Sequence, residues 1–313
     1  MDIVLLFPGQ GSQKPGMGKD LADSFAEARG VFERADAVLG APLSRLCFEG
    51  PAEELTLTHN AQPALLAHGA AIWAVARERI GARVRAAAGH SLGEFTAHHA
   101  AASLPLDDAL RVVRRRGELM YESGVRRPGA MAAILGTLAQ PIEAVCERAS
   151  REAGLVVPAN YNTPDQVVIS GEVAGVEQAM ALAKEAGAKR AMRLNVSGAF
   201  HSPLMESALG GLRAALDESS FGNPAFPVYT NVDAAPVTTT GAAKERLLEQ
   251  LTSPVRWTDE VLALARDFPN ALFVELGPGT VLVGLVRKIA PSVKTASCGS
   301  VADLEQLLGL VSS

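Results

Sequence analysis

The run Val84-Arg85-Ala86-Ala87-Ala88-Gly89-His90-Ser91-Leu92-Gly93-Glu94 decides how the rest of the chain is read. Its first half is a short stretch of small apolar residues with strand character, and a helix is expected from there to about residue 102. The serine therefore stands where a strand turns into a helix. Such an elbow presents a serine hydroxyl at the end of a strand, and glycines two positions to either side let it close. The unbonded N–H groups and positive end of the following helix lie beside the hydroxyl, where they can hold a developing oxyanion. The Leu92 N–H is the first such donor. A glycine-rich turn with an N-capping serine fits the same bare pattern, and a chain with 29 glycines produces it by chance at times.

Working outward, Ile3 to Phe7 is an apolar run stopped by Pro8-Gly9-Gln10-Gly11, as expected of a buried parallel strand ending in a tight loop. Apolar residues recur at helical spacing from Leu21 to Leu39 and from Ala61 to Ile80. Pro105-Leu106-Asp107-Asp108 opens a further helix that carries Arg111, Arg114, Arg115 and Arg116 and is expected to close at Arg116, just before Gly117. Between Met131 and Leu194 the order becomes β-α-β-β-α-β, the signature of a ferredoxin-like unit. Beyond it come a helix near Pro203–Leu216, a strand at Val228–Val232, a helix near Ala242–Leu251, a strand at Ala271–Leu276 ending in Gly277-Pro278-Gly279, and a last helix near Val301–Leu310. The expected fold class is α/β. A large α/β-hydrolase-like domain with a parallel-sheet core is formed by residues 1–127 and 197–313, and a ferredoxin-like subdomain at 128–196 is inserted into it.

Bulk properties exclude more than they select. A chain of 313 residues that is 48% hydrophobic and 20% charged can bury a large core. Its formal charge of -5 gives no overall attraction to nucleic acid or to an anionic membrane. Cys47, Cys146 and Cys298 are odd in number and lack metal-ligand spacing, so neither a disulfide framework nor a metal site is expected. The N-terminal residues lack the basic and apolar regions of a signal peptide, and no run is long enough to span a membrane. A cytoplasmic protein is expected.

A serine hydroxyl needs a base within hydrogen-bond reach before it attacks a carbonyl. Of the six histidines, His90 adjoins the serine and projects elsewhere, while His98 and His99 lie about 10 to 12 Å along the helix at its 1.5 Å rise. His59 and His68 belong to the helix near Ala61, where a helix-surface place is expected. His201, in Ser197-Gly198-Ala199-Phe200-His201-Ser202, lies in a loop leaving a strand of the small unit, where functional side chains concentrate. By elimination it is the better base, though a solvated loop histidine is the plain alternative. An α/β-hydrolase proper would place an acid and then its histidine late in the chain. Here no Asp or Glu is singled out, so a main-chain or amide carbonyl is left to orient the imidazole.

These residues resemble the malonyl-CoA:acyl carrier protein transacylases of fatty acid synthesis and the related acyltransferases of polyketide synthesis. The anchors are Phe7-Pro8-Gly9-Gln10-Gly11-Ser12-Gln13, Gly89-His90-Ser91-Leu92-Gly93-Glu94, Arg116-Gly117, Asn160-Tyr161-Asn162, Gly198-Ala199-Phe200-His201, Gln250 and Val274-Glu275-Leu276-Gly277-Pro278-Gly279. The resemblance implies that Ser91 is acylated, that His201 is its base, and that the Gln10 and Leu92 N–H groups form the oxyanion hole. It also implies that Gln250 orients His201 through a carbonyl group. Arg116, His90, Asn160, Phe200 and Gln250 are placed about the substrate, with the forked Arg116 guanidinium suited to the free carboxylate of a malonyl group. From sequence alone an arginine near a helix end is more often a surface residue. A bulky Phe200 would crowd the α-methyl of methylmalonyl.

The implied reaction takes malonyl from coenzyme A to the phosphopantetheine thiol of an acyl carrier protein, in a monomer, with no metal and no bound cofactor. An acyl hydrolase of the same fold and an acyltransferase serving a polyketide synthase in trans are the other readings, with a non-catalytic carrier-binding domain behind them. Acyl carrier proteins are acidic, so Arg111, Arg114, Arg115, Arg126, Arg127, Lys184, Lys189 and Arg190 are candidates to line a groove that steers the partner. The chain departs from the family at Ala97-His98-His99-Ala100, where two histidines stand in place of small or apolar residues. They are expected to be partner-facing or packed.

Overall fold

Ile3-Val4-Leu5-Leu6-Phe7 has no polar side chain to show to water, and both faces of this strand are covered. Ile3, Leu5 and Phe7 join one hydrophobic core, while Val4 and Leu6 join a second on the opposite face. A strand sandwiched in this way belongs at the centre of a parallel sheet. The computed structural model describes residues 1–312, and there its neighbours on both sides are parallel.

In chain order the strands among the described residues are β1 (Ile3–Phe7), β2 (Val84–Gly89), β3 (Gly129–Leu135), β4 (Val156–Thr163), β5 (Gln166–Glu172), β6 (Arg190–Arg193), β7 (Val228–Tyr229), β8 (Pro236–Val237), β9 (Leu272–Leu276) and β10 (Lys294–Cys298). The large sheet has the order β10-β9-β1-β2-β7-β8, parallel except for β8. Phe7 pairs with Gly89, so β1 and β2 finish level. The Pro8–Gly11 loop and the serine elbow thus lie side by side at the carboxyl ends of adjacent strands, where open α/β sheets gather their sites. The His90 N–H donates to Phe7 O at 3.0 Å. A Cβ on Gly93 would sit 1.9 Å from that same Phe7 oxygen, so only glycine allows this approach.

The small sheet has the antiparallel order β4-β5-β3-β6. With helices Ile142–Glu152 and Val173–Glu185 packed on one face, this is the ferredoxin-like arrangement. From the other face Met131 and Ala133 enter the core of the large unit. The two units are laced by main-chain bonds, Tyr161 N–H to Val255 O at 2.9 Å and Val255 N–H to Ala159 O at 2.8 Å.

Several expectations need correction. The helix read from Leu21 to Leu39 is two, Lys19–Ser24 and Ala26–Leu39, broken at an extended Phe25. The helix expected to close at Arg116 runs from Leu106 to Arg126. Gly117 does not end it: this is where it crosses the helix Thr58–Ile80, and a Cβ there would come within 2.6 Å of His59 Cα. The strand at Val228–Val232 shrinks to Val228–Tyr229, because Thr230 to Ala235 turn back toward β8. Helices Leu43–Glu49, Trp257–Asp267 and Val281–Ile289 and strand β10 were not foreseen; the last two helices cover the second face of the large sheet through Trp257, Val261, Leu264, Leu282 and Val286.

His68 is fully buried rather than on a helix surface. His98 is also fully buried, its Nδ1 3.0 Å from Ser103 Oγ, and the part-buried His99 has Nδ1 3.1 Å from Leu104 O, so both rings pack against the turn that follows their helix. Among the described residues no helix is long and apolar enough to cross a membrane.

Candidate active site

Ser91 adopts φ 52° and ψ -106°, a region that non-glycine residues seldom enter and keep only where the surroundings enforce it. Its side chain makes no capping bond. Instead Ser91 Oγ lies 2.7 Å from His201 Nε2, which removes the capping-serine alternative. His201 is itself at φ 55°, in the loop between β6 and the turn Pro203–Met205. Its Nδ1 lies 2.9 Å from the main-chain oxygen of Gln250. A carbonyl only accepts, so Nδ1 carries the proton and Nε2 turns its lone pair to the serine hydroxyl. Burial, followed by the nearby Arg116 charge, lowers the imidazole pKa to about 3, so the ring is neutral near neutral pH and its Nε2 lone pair is unprotonated.

Arg116 projects from the apolar face of the helix Leu106–Arg126 and is 1% exposed. Its guanidinium donates to Gln62 Oε1 at 2.8 Å, to Gln250 Oε1 at 2.9 Å and to Ser91 Oγ at 3.2 Å. Burial lowers its pKa to about 10, with Glu94 opposing, so it keeps its charge near neutral pH. All these hydrogen-bond partners are uncharged. A buried cation held only by neutral acceptors favours an anion brought alongside.

Gln10, His90, Ser91, Leu92, Arg116, Asn160, Phe200 and His201 all line one cavity of about 120 Å³, walled elsewhere by Met120, Met131, Leu194 and Val196. A wider cavity of about 440 Å³ shares Gln10 and Val196 with it and reaches Leu57, Thr58 and Ser197. Among the described residues the main-chain N–H groups of Gln10 and Leu92 have no hydrogen-bond acceptor, which leaves both for a bound group. His90 is held with Nε2 2.8 Å from Asn162 Oδ1, its ring 5.6 Å from that of Trp257. A thioester carbonyl brought to Ser91 therefore meets a hydroxyl with a base, two uncommitted N–H donors and one cation.

Two expectations change here. Gln250 does not line the cavity. It is fully buried beneath it, and it is the main-chain carbonyl that faces His201 while the side chain links Arg116 to the elbow through Ser91 O at 3.0 Å. The basic set is also largely engaged: Arg111 pairs with Asp108, Arg115 with Glu118 and Glu122, Arg126 with Glu122 and Arg127 with Glu172, and Arg114 donates to Asn60. Lys184, Lys189 and Arg190 have no ion pair among the described residues. Sequence reading missed Gln62, Glu94, Asn231 and Glu260, all buried polar residues around the site. Glu94 carried a signal, as the one acid in the elbow helix Leu92–Ala100.

Residues 4–306 match the family model described as the acyl transferase domain. The malonyl CoA-acyl carrier protein transacylase of Bacillus subtilis (strain 168) is 46% identical over 303 residues, covering 97% of this chain and 95% of that protein. The crystal structure of acyl-carrier-protein-S-malonyltransferase from Bartonella henselae superposes with TM-score 0.94 at 39% identity and full coverage of both chains. A malonyl-transacylase in complex with its type II polyketide synthase acyl-carrier protein superposes with TM-score 0.94 at 40% identity, covering 99% of this chain and 100% of that one.

Proposed function

The chain belongs to the acyl transferase family, and on that premise we propose that it moves a malonyl group from malonyl-CoA to the phosphopantetheine thiol of an acyl carrier protein through an ester on Ser91. One observation carries the reading: Ser91 Oγ is within hydrogen-bond distance of both a histidine base and a buried arginine.

Ser91 Oγ attacks the thioester carbonyl as its proton passes to His201 Nε2. The tetrahedral oxyanion is held by the Gln10 and Leu92 N–H groups. Its collapse breaks the carbon–sulfur bond, and His201 returns the proton to the departing coenzyme A sulfur. The carrier's thiol then enters, loses its proton to His201, and attacks the ester, and the proton finally goes back to Ser91 Oγ. The imidazolium formed midway is stabilised by the Gln250 carbonyl at Nδ1. Every proton and charge is handled by side chains and amides of one chain, so the scheme needs no metal or bound cofactor and operates in a monomer. With coenzyme A thioesters as donors, the cytoplasm is its place of action.

Substrate choice follows from Arg116. In a malonyl ester one methylene separates the ester carbonyl from the free carboxylate, short enough to reach a guanidinium 3.2 Å from Oγ. An acetyl group would leave that charge without an anion. Phe200 lines the same cavity, and its bulk is expected to disfavour the extra α-methyl of methylmalonyl. Likeness to a transacylase bound to a polyketide carrier favours, as a second reading of the pathway, service to a polyketide synthase.

To test transfer, the enzyme is loaded with malonyl-CoA, freed of excess donor and mixed with holo-acyl carrier protein or with buffer. The carrier is expected to clear the acyl group far faster than water does. Equal clearance would make the protein an acyl hydrolase.

A further inference from the structure

We propose that Asn231 is a positioning residue for the acyl transfer: it clamps the strained elbow and thereby aims Ser91 Oγ and the Leu92 N–H. The proposal rests on Ser91 being the nucleophile. Asn231 lies two residues past β7, is fully buried and does not line the substrate cavity.

All of its polar atoms are engaged. Oδ1 accepts from the Ser91 N–H at 2.7 Å and from Gln250 Nε2 at 3.1 Å. Nδ2 donates to Gly89 O at 2.8 Å and to Glu260 Oε2 at 2.9 Å. Its own N–H donates to Glu94 Oε2 at 3.1 Å, and its carbonyl accepts from the Arg256 N–H at 2.9 Å. Gly89 O and the Ser91 N–H flank His90 on one edge of the chain. The primary amide therefore does for the elbow what a neighbouring strand does for β2, whose own pairing with β7 is limited to Ala87 and Val228.

The consequence for chemistry runs through the peptide group between Ser91 and Leu92. A trans peptide points its C=O and N–H to opposite sides. Gln250 Nε2, braced by Asn231, holds the Ser91 oxygen at 3.0 Å. That turns the Leu92 N–H toward the cavity. Gln250 Nε2 donates in turn to Glu94 Oε2 at 2.6 Å, the oxygen that also accepts from the Asn231 main-chain N–H, and Glu94 stands on the elbow helix itself. The clamp thus closes on the element it supports, and a residue at φ 52° is kept where it would otherwise relax.

The test compares full-length wild type, Asn231→Ala and Asn231→Asp in single-turnover formation of the malonyl enzyme. Asn231→Ala is expected to slow acylation on the order of 10²-fold, the usual effect of misplacing reacting groups. The malonyl-CoA concentration at half-maximal rate should stay within about twofold, since Arg116 is untouched. Asn231→Asp keeps an oxygen for the Ser91 N–H and loses the two bonds that Nδ2 donates, to Gly89 O and Glu260 Oε2. It is expected to recover about tenfold of the lost rate. If Asn231→Ala does not fold, Asn231→Asp alone should acylate more slowly than wild type at unchanged half-saturation. Wild-type rates in the variants, a loss lying wholly in half-saturation, or Asn231→Asp no faster than Asn231→Ala would overturn the proposal. A wild type that takes no malonyl group at Ser91 would instead overturn the reaction on which it rests.

Discussion

Replacing Arg116 with alanine should convert a malonyl-selective site into an indifferent one. In the folded protein the guanidinium is 1% exposed and bonded only to Gln62, Gln250 and Ser91 Oγ. Removing one member of a buried ion pair costs about 3–5 kcal/mol, because the other charge is left uncompensated. At 1.36 kcal/mol per decade, kcat/KM for malonyl-CoA should fall by about 10²- to nearly 10⁴-fold. Acetyl-CoA has no carboxylate to lose. In the wild type its acyl group must sit against an unmatched cation, so the variant should transfer acetyl equally well or faster. The assay is kcat/KM for both thioesters with both enzymes, with thermal denaturation alongside, since two buried glutamine oxygens lose a donor at roughly 1–3 kcal/mol each. Retention of the malonyl preference in Arg116→Ala would refute the assignment. An equal fall for both substrates would do so as well, and would place the arginine's effect on Ser91 Oγ or Gln250 rather than on the substrate.

Gly93→Ala forces a Cβ to 1.9 Å from Phe7 O, and overpacking of this kind costs at least about 1–3 kcal/mol; a lowered melting temperature and lost acylation are expected, and an unaltered enzyme would disprove the tight β1–elbow contact. Burial lowers the His98 pKa to about 3 against 6.5 for an ordinary histidine, so the unfolded chain binds the extra proton and the residue's contribution is complete above about 6.5 and is lost as pH falls toward 3. His98→Gln should therefore shrink the stability difference between pH 7 and pH 5 by about 2 kcal/mol in denaturant titrations, and an unchanged difference would show that His98 titrates normally. Lys189→Glu with Arg190→Glu should raise KM for the carrier protein, with the effect shrinking as salt is added; a salt-insensitive KM equal to wild type would remove these residues from docking.

How much of this was legible in the sequence depends on whether a residue's job shows in its pattern. β1 and β2 are apolar on both faces and end in glycine-bearing turns, so the site's two loops could be located from their strands. The change of pattern from Met131 onward marked the small unit. Val281–Ile289 has apolar residues at helical spacing, Leu282, Leu285, Val286 and Ile289, but its β-branched residues and lack of a capping side chain mask that signal, and β10 is a half-exposed strand of mostly small and polar residues. Arg116 was readable by a different route. Leu110, Val113, Gly117 and Met120 form the buried stripe of its helix, and a charge on that stripe marks a residue drawn inward for a reason. Ending the helix at Gly117 hid this. The Gln250 carbonyl that orients His201 is main chain, and no side-chain pattern encodes it. Asn231 follows a two-residue strand in an ordinary-looking turn, and only the fold brings it to the elbow.

The central claim is that malonyl passes through an ester on Ser91. Its most direct measurement is quenched intact-mass analysis followed by peptide mapping after brief exposure to malonyl-CoA. One malonyl group per chain is expected, on the peptide that contains Ser91, absent from Ser91→Ala and discharged by holo-acyl carrier protein. A wild-type enzyme that transfers malonyl without this adduct, or that carries it on another residue, would contradict the account.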